Sequence, residues 1–353
     1  MWPEKGNGVS PGRPPPPPGS EYSAGVDLSV SFLGTGGPAP TALRNTAAVL
    51  VTRSGERMLF DCGEGTQRQL RLSTGLVHLD RVFLTHFHLD HCLGLPGLLK
   101  TYDLGDRQAP LHLIGPAGLG GLIRDFRPLI GRLGFELEVE ELEPGEVLSG
   151  DEYEIEAFAV DHRTRALGYA LLEDDRPGRF DPDAATGLGV EPGPDFGRLQ
   201  AGEAVRGRDG TVSPEQVMGE DRAGRAIAIT GDTMPTSSTV RAAAEADLLI
   251  HDASFMNEDA ERARETGHST GAQAAGVAAE ADVKMLAMVH ISARYHVGKA
   301  LDEAREVFPN SVAPRDFDLI ELPFPERGEP RLVRGGARRD GDETDAAPGP
   351  PGA

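Results

Sequence analysis

THFHLDH, residues 85–91, places His86, His88, Asp90 and His91 in seven positions, between the apolar stretches Val82-Phe83-Leu84 and Leu93-Gly94-Leu95. A lone histidine in such a setting is ordinarily structural, whereas four ligand-type side chains in six residues read as a metal site. Neutral imidazole together with carboxylate suits zinc and similar divalent ions. His86 and His88 alternate at the end of an expected strand and so point the same way. Asp90 and His91 fall in the turn that feeds the next helix. Four ligands this close in sequence can hardly wrap one ion tetrahedrally, and they divide more naturally between two.

Working outward, short β-rich segments ending in polar clusters recur along the chain: DLSVSFLGTGG, AAVLV, RMLFDCGEG, PLHLIGP, YEIEAFAVDHR, RAIAITGDT, DLLIHDAS and KMLAMVHIS. Several are continuous apolar runs, as strands buried on both faces are. Helical stretches intervene at 64–73, 95–104, 116–133, 239–246, 270–281 and 298–308. Strands alternating with helices predict a layered α/β fold with its site at the strands' C-terminal ends. Three of those ends complete the ligand set: His162 of VDHR, Asp232 of TGDT and His290 of MVHIS. Asp232 has two oxygens with which to bridge two ions, which would clamp an in-line displacement at phosphorus from about 3.5–4 Å apart. GHST, 267–270, starts a helix with Ser269 or Thr270 near its cap, leaving His268 at a loop tip. Asp252 of HDAS can orient His268 as a general acid, since a carboxylate fixes an imidazole's tautomer and supports its protonated form.

Composition bounds the rest. At 353 residues, 39% hydrophobic, the chain suffices for one large domain or two small ones. No apolar run approaches a membrane span, and the N-terminus lacks the apolar core of a signal peptide. With only Cys62 and Cys92 no disulfide framework is implied, and a cytoplasmic address is expected. Residues 1–24 and 327–353 read as disordered tails around a catalytic domain at 25–326. Residues 173–210, polar and crowded with Gly and Pro, read as a protruding arm. The net charge of −21 reads first as compositional bias, and second as repulsion of polyanions.

Together the motifs resemble ribonuclease Z, the tRNA 3′-processing endonuclease family of the metallo-β-lactamase fold. FLGTGG at 32–37, RNTAAVLV at 44–51, DCGEGTQRQL at 61–70, THFHLDHCLGLPGLL at 85–99, VDHR, TGDT, HDAS, GHST and HISARY at 290–295 carry the resemblance, collinear over 27–325. It implies a four-layer αββα sandwich, homodimeric, holding two Zn²⁺ per subunit, with Mn²⁺ as an alternative. One ion would sit on His86, His88 and His162, the other on Asp90, His91 and His290, with Asp232 bridging. Asp90 would also accept the attacking water's proton, while His268 and Asp252 assist the leaving group. The implied substrate is precursor tRNA, cut after the discriminator nucleotide to leave a 3′-hydroxyl. The arm would be the tRNA-gripping element, with GVEPGPDFGRL at 189–199 resembling its Gly-Pro element. Arg44, Arg176, Arg179, Arg198 and Arg294 are the arginines expected to meet RNA. The sequence departs from the family pattern at Leu89 (often Gly), Asp252 (usually Glu), Ser254 (usually Thr) and Ala42 (commonly Lys). It departs in charge as well. Residues 173–225 carry seven arginines and no lysine against twelve acids, whereas phosphate neutralisation supplies most non-specific affinity for nucleic acid.

Cys62, Cys92, His78, His112, His251 and His296 are expected to be structural or surface residues. Asp61 and Glu64 are expected to bond ligand imidazoles rather than metal. The rival readings are a dinuclear hydrolase of small phosphodiesters and a binding protein without catalysis. The arm and the GHST/HDAS pair speak against the first, and the complete ligand set against the second.

Overall fold

The continuous apolar strands are continuous because both of their faces are covered. In a computed structural model, which describes residues 27–335, successive side chains of one strand enter different cores. Val49 and Val51 of Ala48–Arg53 face a core shared by two sheets, while Ala48 and Leu50 face helices. On the other sheet, Leu248 and Ile250 of Leu248–Asp252 face the shared core, while Leu249 meets the opposite helical layer. A two-residue period with both phases buried gives strands that show no polar alternation.

The first sheet has eight strands in the order Arg331–Val333, Leu319–Glu321, Leu28–Gly34, Ala48–Arg53, Glu56–Phe60, Arg81–Phe83, Leu111–Pro116, Leu137–Leu142. The second has seven, ordered Ser311–Val312, Met285–Val289, Leu248–Asp252, Ala226–Ile229, Leu167–Glu173, Tyr153–Ala159, Val147–Ser149. Each is parallel in one half and antiparallel in the other. Phe60, Phe83 and Tyr169 fill the space between them, with the Phe60 and Phe83 rings stacked at 4.7 Å. Helices Thr66–Ser73, Leu95–Leu104 and Leu119–Ile130 cover the first sheet's outer face. Ser237–Ala242, Gly271–Glu280 and Val297–Val307 cover the second's. This is the expected αββα sandwich, and its four layers hold the parallel strands' C-terminal ends together at one rim.

Two boundaries differ from expectation. The expected tail at 327–353 begins too early: Arg331–Val333 pairs antiparallel with Leu319–Glu321 as an edge strand. The remainder of that tail and the N-terminal stretch 1–24 lie outside the described residues. The arm runs to Arg225 rather than to 210 and has a core of its own. Val190, Leu199, Val205, Val212 and Val217 pack with Phe180 and Phe196, the two rings 4.8 Å apart. Helices Pro182–Gly187 and Pro194–Gln200 frame it, the first capped by the Asp181 carboxylate accepting from the amides of Asp183 and Ala184.

At the arm's base, Glu173 accepts from Arg225 at 2.6 Å and from Arg53 at 2.8 Å, all three side chains being buried. Arg176 and Arg222 each reach Glu326 at 2.9 Å, and Arg176 and Arg225 both lie over the Phe324 ring. Chain beyond the last central strand thus clamps the arm to the body.

Candidate metal centre

All seven expected ligands converge on the rim, from loops of both sheets. The strand before THFHLDH ends at Phe83, so His86 and His88 extend from a loop, not from the strand itself. Asp90 and His91 lie on the single-turn helix Leu89–Cys92. Leu89 opens that helix and is exposed. His162 follows Tyr153–Ala159, Asp232 follows Ala226–Ile229, and His290 follows Met285–Val289.

The side chains form two groups, His86, His88, His162 and Asp232 in one and Asp90, His91 and His290 in the other, with donor atoms within 4.8 Å of each other in each group. Asp232 turns one oxygen to each. Its Oδ2 lies 3.7 Å from His86 Nε2, and its Oδ1 3.3 Å from His91 Nε2 and 3.6 Å from His290 Nε2. In the second group, Asp90 Oδ2 is 3.0 Å from His290 Nε2 and 3.6 Å from His91 Nε2.

Four of the five imidazoles, all but His88, are oriented from behind. His91 Nδ1 donates to Asp61 Oδ2 at 2.7 Å, His162 Nδ1 to the Gly267 carbonyl at 2.7 Å, and His290 Nδ1 to Ser254 Oγ at 2.7 Å. His86 Nδ1 faces Thr85 Oγ1 at 3.0 Å, and Thr85 is itself bonded to Asp61. These contacts leave Nε2 to the centre, as ligand histidines require. Asp61 performs its expected role, whereas Glu64 uses its backbone carbonyl toward Asn45 and Thr46, not its carboxylate.

The donor set fits divalent cations. His86 Nε2, His91 Nε2 and Asp232 Oδ1 are buried without a hydrogen-bond partner, an expensive state unless something positive takes their lone pairs. His88 Nδ1 and His162 Nε2 face one another at 3.3 Å, a spacing that suits a hydrogen bond between them or a cation held by both. Burial, then His91, push the His86 imidazole well below its ordinary pKa, so it is neutral and able to ligate. Burial alone would raise the Asp232 carboxyl. His290, His91 and His86 outweigh it and hold the carboxylate well below its usual range.

Backbone strain and missing side chains shape the same spot. Asp61 and His290 have φ of 59° and 60°. Left-handed conformations cost about 1–2 kcal/mol per non-glycine residue, and such costs gather at functional sites. A Cβ on Gly37 would lie 2.0 Å from His290 Nε2, so only glycine leaves that ring its place.

Beside the ligands, His268 Nδ1 donates to Asp252 Oδ2 at 2.9 Å, and its ring stacks on His290 at 5.3 Å. Burial lowers the His268 pKa, but Asp252 and then Asp232 outweigh it and raise it to about 9. The shorter Asp252 therefore reaches its partner. Thr270 caps Gly271–Glu280 with a reciprocal Gln273 contact, and the same turn sends the Gly267 carbonyl to His162 and the His268 ring to the centre.

The remaining expectations resolve individually. Arg44 Nη1 is committed to Thr35 Oγ1 and the Pro314 carbonyl, tying the loop at 40–45 to the body. Arg198 bonds Asp195 and Glu203 within the arm. Arg176 and Arg179 gather with Arg222, not with Arg198 or Arg206, around a pocket of about 470 Å³ at the arm's base that Glu220 and Glu326 also line. Arg294 is exposed in the turn after His290. Cys62 and Cys92 are buried packing residues, and His112 pairs with Glu140 at 2.7 Å. His251 is wholly buried, with Nδ1 bonded to the Asp252 carbonyl. No helix among the described residues is long and apolar enough to cross a membrane.

The metallo-beta-lactamase superfamily matches residues 41–265. Proteins named ribonuclease Z are similar over most of the chain. That of Haloferax volcanii is 50% identical over 306 residues, covering 85% of this chain and 96% of the relative. That of Gemmatimonas aurantiaca is 48% identical over 307 residues, covering 85% and 98%. The crystal structure of the short form of human tRNase Z superposes with a TM-score of 0.62 at 29% identity, covering 84% of this chain and all of the other.

Proposed function

The chain belongs to the ribonuclease Z family of the metallo-β-lactamase superfamily, metal-dependent tRNA endoribonucleases, and from that premise we propose how it acts. It hydrolyses one phosphodiester of precursor tRNA after the discriminator nucleotide, freeing the 3′ trailer and leaving a 3′-hydroxyl on the tRNA. His86, His88, His162 and Asp232 Oδ2 would hold one ion, and Asp90, His91, His290 and Asp232 Oδ1 the other. Zinc is the expected metal, with manganese a substitute. Two such ions, when bound, lower the pKa of water and neutralise charge on the phosphate.

The protein's own groups do the rest. Asp90 stands at the rim with Oδ2 toward His290 and takes the proton of the attacking water. His268, kept protonated by Asp252, gives a proton to the departing 3′-oxygen, and its raised pKa suits it to that end of the reaction. Ser269 N and Thr233 N, both 3.3 Å from Asp252 Oδ2, hold the carboxylate in place. The arm is the candidate grip on the body of the tRNA, through Arg176 and Arg179 at its base. The enzyme acts as a homodimer in the cytoplasm on this reading, and sedimentation of the purified protein tests the dimer.

The observation that carries the proposal is the placement of Asp252–His268 against the Asp232-bridged groups: an acid for the leaving oxygen beside a two-ion clamp. The test is incubation of the purified protein with end-labelled precursor tRNA and Zn²⁺ or Mn²⁺, with chelator as control. The expected result is a single metal-dependent cut after the discriminator. No such cut, with rapid turnover of a small phosphodiester, would assign the site to small substrates instead.

A further inference from the structure

One buried hydroxyl has no part in that reading. Ser254 is 4% exposed, and its Oγ meets three of the site's residues at once. It lies 2.6 Å from Asp252 Oδ1, 2.7 Å from His290 Nδ1 and 3.3 Å from His268 Nδ1, with the His290 carbonyl at 3.1 Å. A hydroxyl has one proton to give and two lone pairs to receive. The shortest contact is to an ionised carboxylate, where a charge-assisted bond is strongest, so the proton goes to Asp252. Its oxygen must then accept from His290, which fixes the proton of that ring on Nδ1 and frees Nε2 for the centre.

We propose that Ser254 is a positioning residue whose single hydroxyl joins the ligand His290 to the Asp252–His268 pair, setting the ligand's tautomer and the acid's orientation together. Asp252 divides its oxygens accordingly, Oδ1 to Ser254 and Oδ2 to His268. The Ser254 amide, 2.9 Å from the same Oδ1, closes a local turn that keeps the carboxylate from rotating. The two halves of the reaction, metal holding and leaving-group protonation, thereby share one hydrogen-bond chain: His290 to Ser254 to Asp252, with His268 on the far oxygen. The inference rests on the two-ion reading of the site, but not on RNA as the substrate.

The informative pair is Ser254→Thr and Ser254→Val, which match in shape and differ in the hydroxyl. Affinity for Zn²⁺ itself is read by chelator competition, and the His290 tautomer by imidazole nitrogen NMR. Threonine should retain both zinc ions within about twofold of the parent. Valine should weaken one of the two by about 10–100-fold, the usual cost of removing a partner behind a ligand, and release the His290 proton from Nδ1. It should also lower kcat on a small phosphodiester and leave KM for precursor tRNA unchanged. Equal zinc affinities and an unchanged tautomer in the two variants would overturn the proposal. Should the valine protein not fold, Ser254→Ala removes the same hydroxyl without added bulk and is read identically. If the parent fails to cut precursor tRNA while the zinc affinities still separate, the substrate reading falls and the role of Ser254 stands.

Discussion

The metal centre and the arm solve opposite problems with the same kinds of side chain. At the centre, carboxylates and imidazoles are taken out of water, and Asp232, His86, His91 and His290 are all buried. Every one of their atoms is either oriented by a neighbour or left facing a place for a cation. In the arm, beyond the buried Glu173–Arg225 pair at its base, the charges named above stay wet. Arg198 pairs with Asp195 and Glu203 on the surface, where such pairs contribute little, and a few apolar side chains hold the unit together. Rigidity is concentrated where atoms must be placed to a fraction of an ångström, and the reaching element is tethered at its base.

That contrast can be broken first at the centre. Asp90→Ala should reduce cleavage of precursor tRNA and of a small phosphodiester alike, by about 10⁴-fold, since it removes both a ligand and the proton acceptor. Single-turnover rates measure this, and retained turnover would end the assignment of Asp90. Next in size is the joint between the regions. Glu173→Gln leaves Arg53 without its carboxylate and Arg225 with Asp27 alone, at 2.7 Å, and breaking a buried pair costs about 3–5 kcal/mol. Burial raises the Glu173 carboxyl, but Arg225 and Arg53 outweigh it and hold it low. Its stabilisation is therefore complete above about pH 4.3 and is lost as pH falls through the lowered value. Denaturant midpoints at neutral pH and in acid, for parent and variant, check both statements.

His268→Ala should slow kcat by about 10²-fold with zinc content unchanged, measured by metal analysis beside kinetics. Zinc loss would make His268 a ligand rather than an acid. The smallest effect sharpens the comparison most. Replacing residues 176–222 by a short glycine linker should raise KM for precursor tRNA by about 10–100-fold, the equivalent of roughly two lost contacts at about 1.4 kcal/mol per tenfold. Hydrolysis of a small phosphodiester should not change. If it collapses too, arm and centre are one unit.

Much of the centre was legible in the sequence because ligand chemistry is local: strand ends deliver HFHLDH, VDHR, TGDT and MVHIS, and each residue type declares itself. The helix layers were legible too, Leu95–Leu104 to the residue. What escaped was relational. Ser254 and Gly37 matter through contacts with His290, 36 and 253 residues away in sequence, and nothing local marks them. The strand Leu137–Leu142, LEVEEL, was not among the expected strands, because an edge strand carrying charge shows no continuous apolar run. The arm's order was hidden by its Gly and Pro content, since its core is assembled from single apolar residues scattered between turns. The tethering of Arg44 was hidden for the same reason: its partners Thr35 and Pro314 lie 9 and 270 residues away in sequence.

The arm leaves the body from Leu167–Glu173 and returns in Ala226–Ile229, and those strands are paired neighbours. Its two ends are thus held together by the sheet whatever lies between them. Lengthening such an excursion is inexpensive, about 0.6 kcal/mol for each doubling. The arrangement makes the arm an exchangeable cassette. Lineages can lengthen, shorten or recharge it to suit different substrates without moving a single ligand of the metal centre.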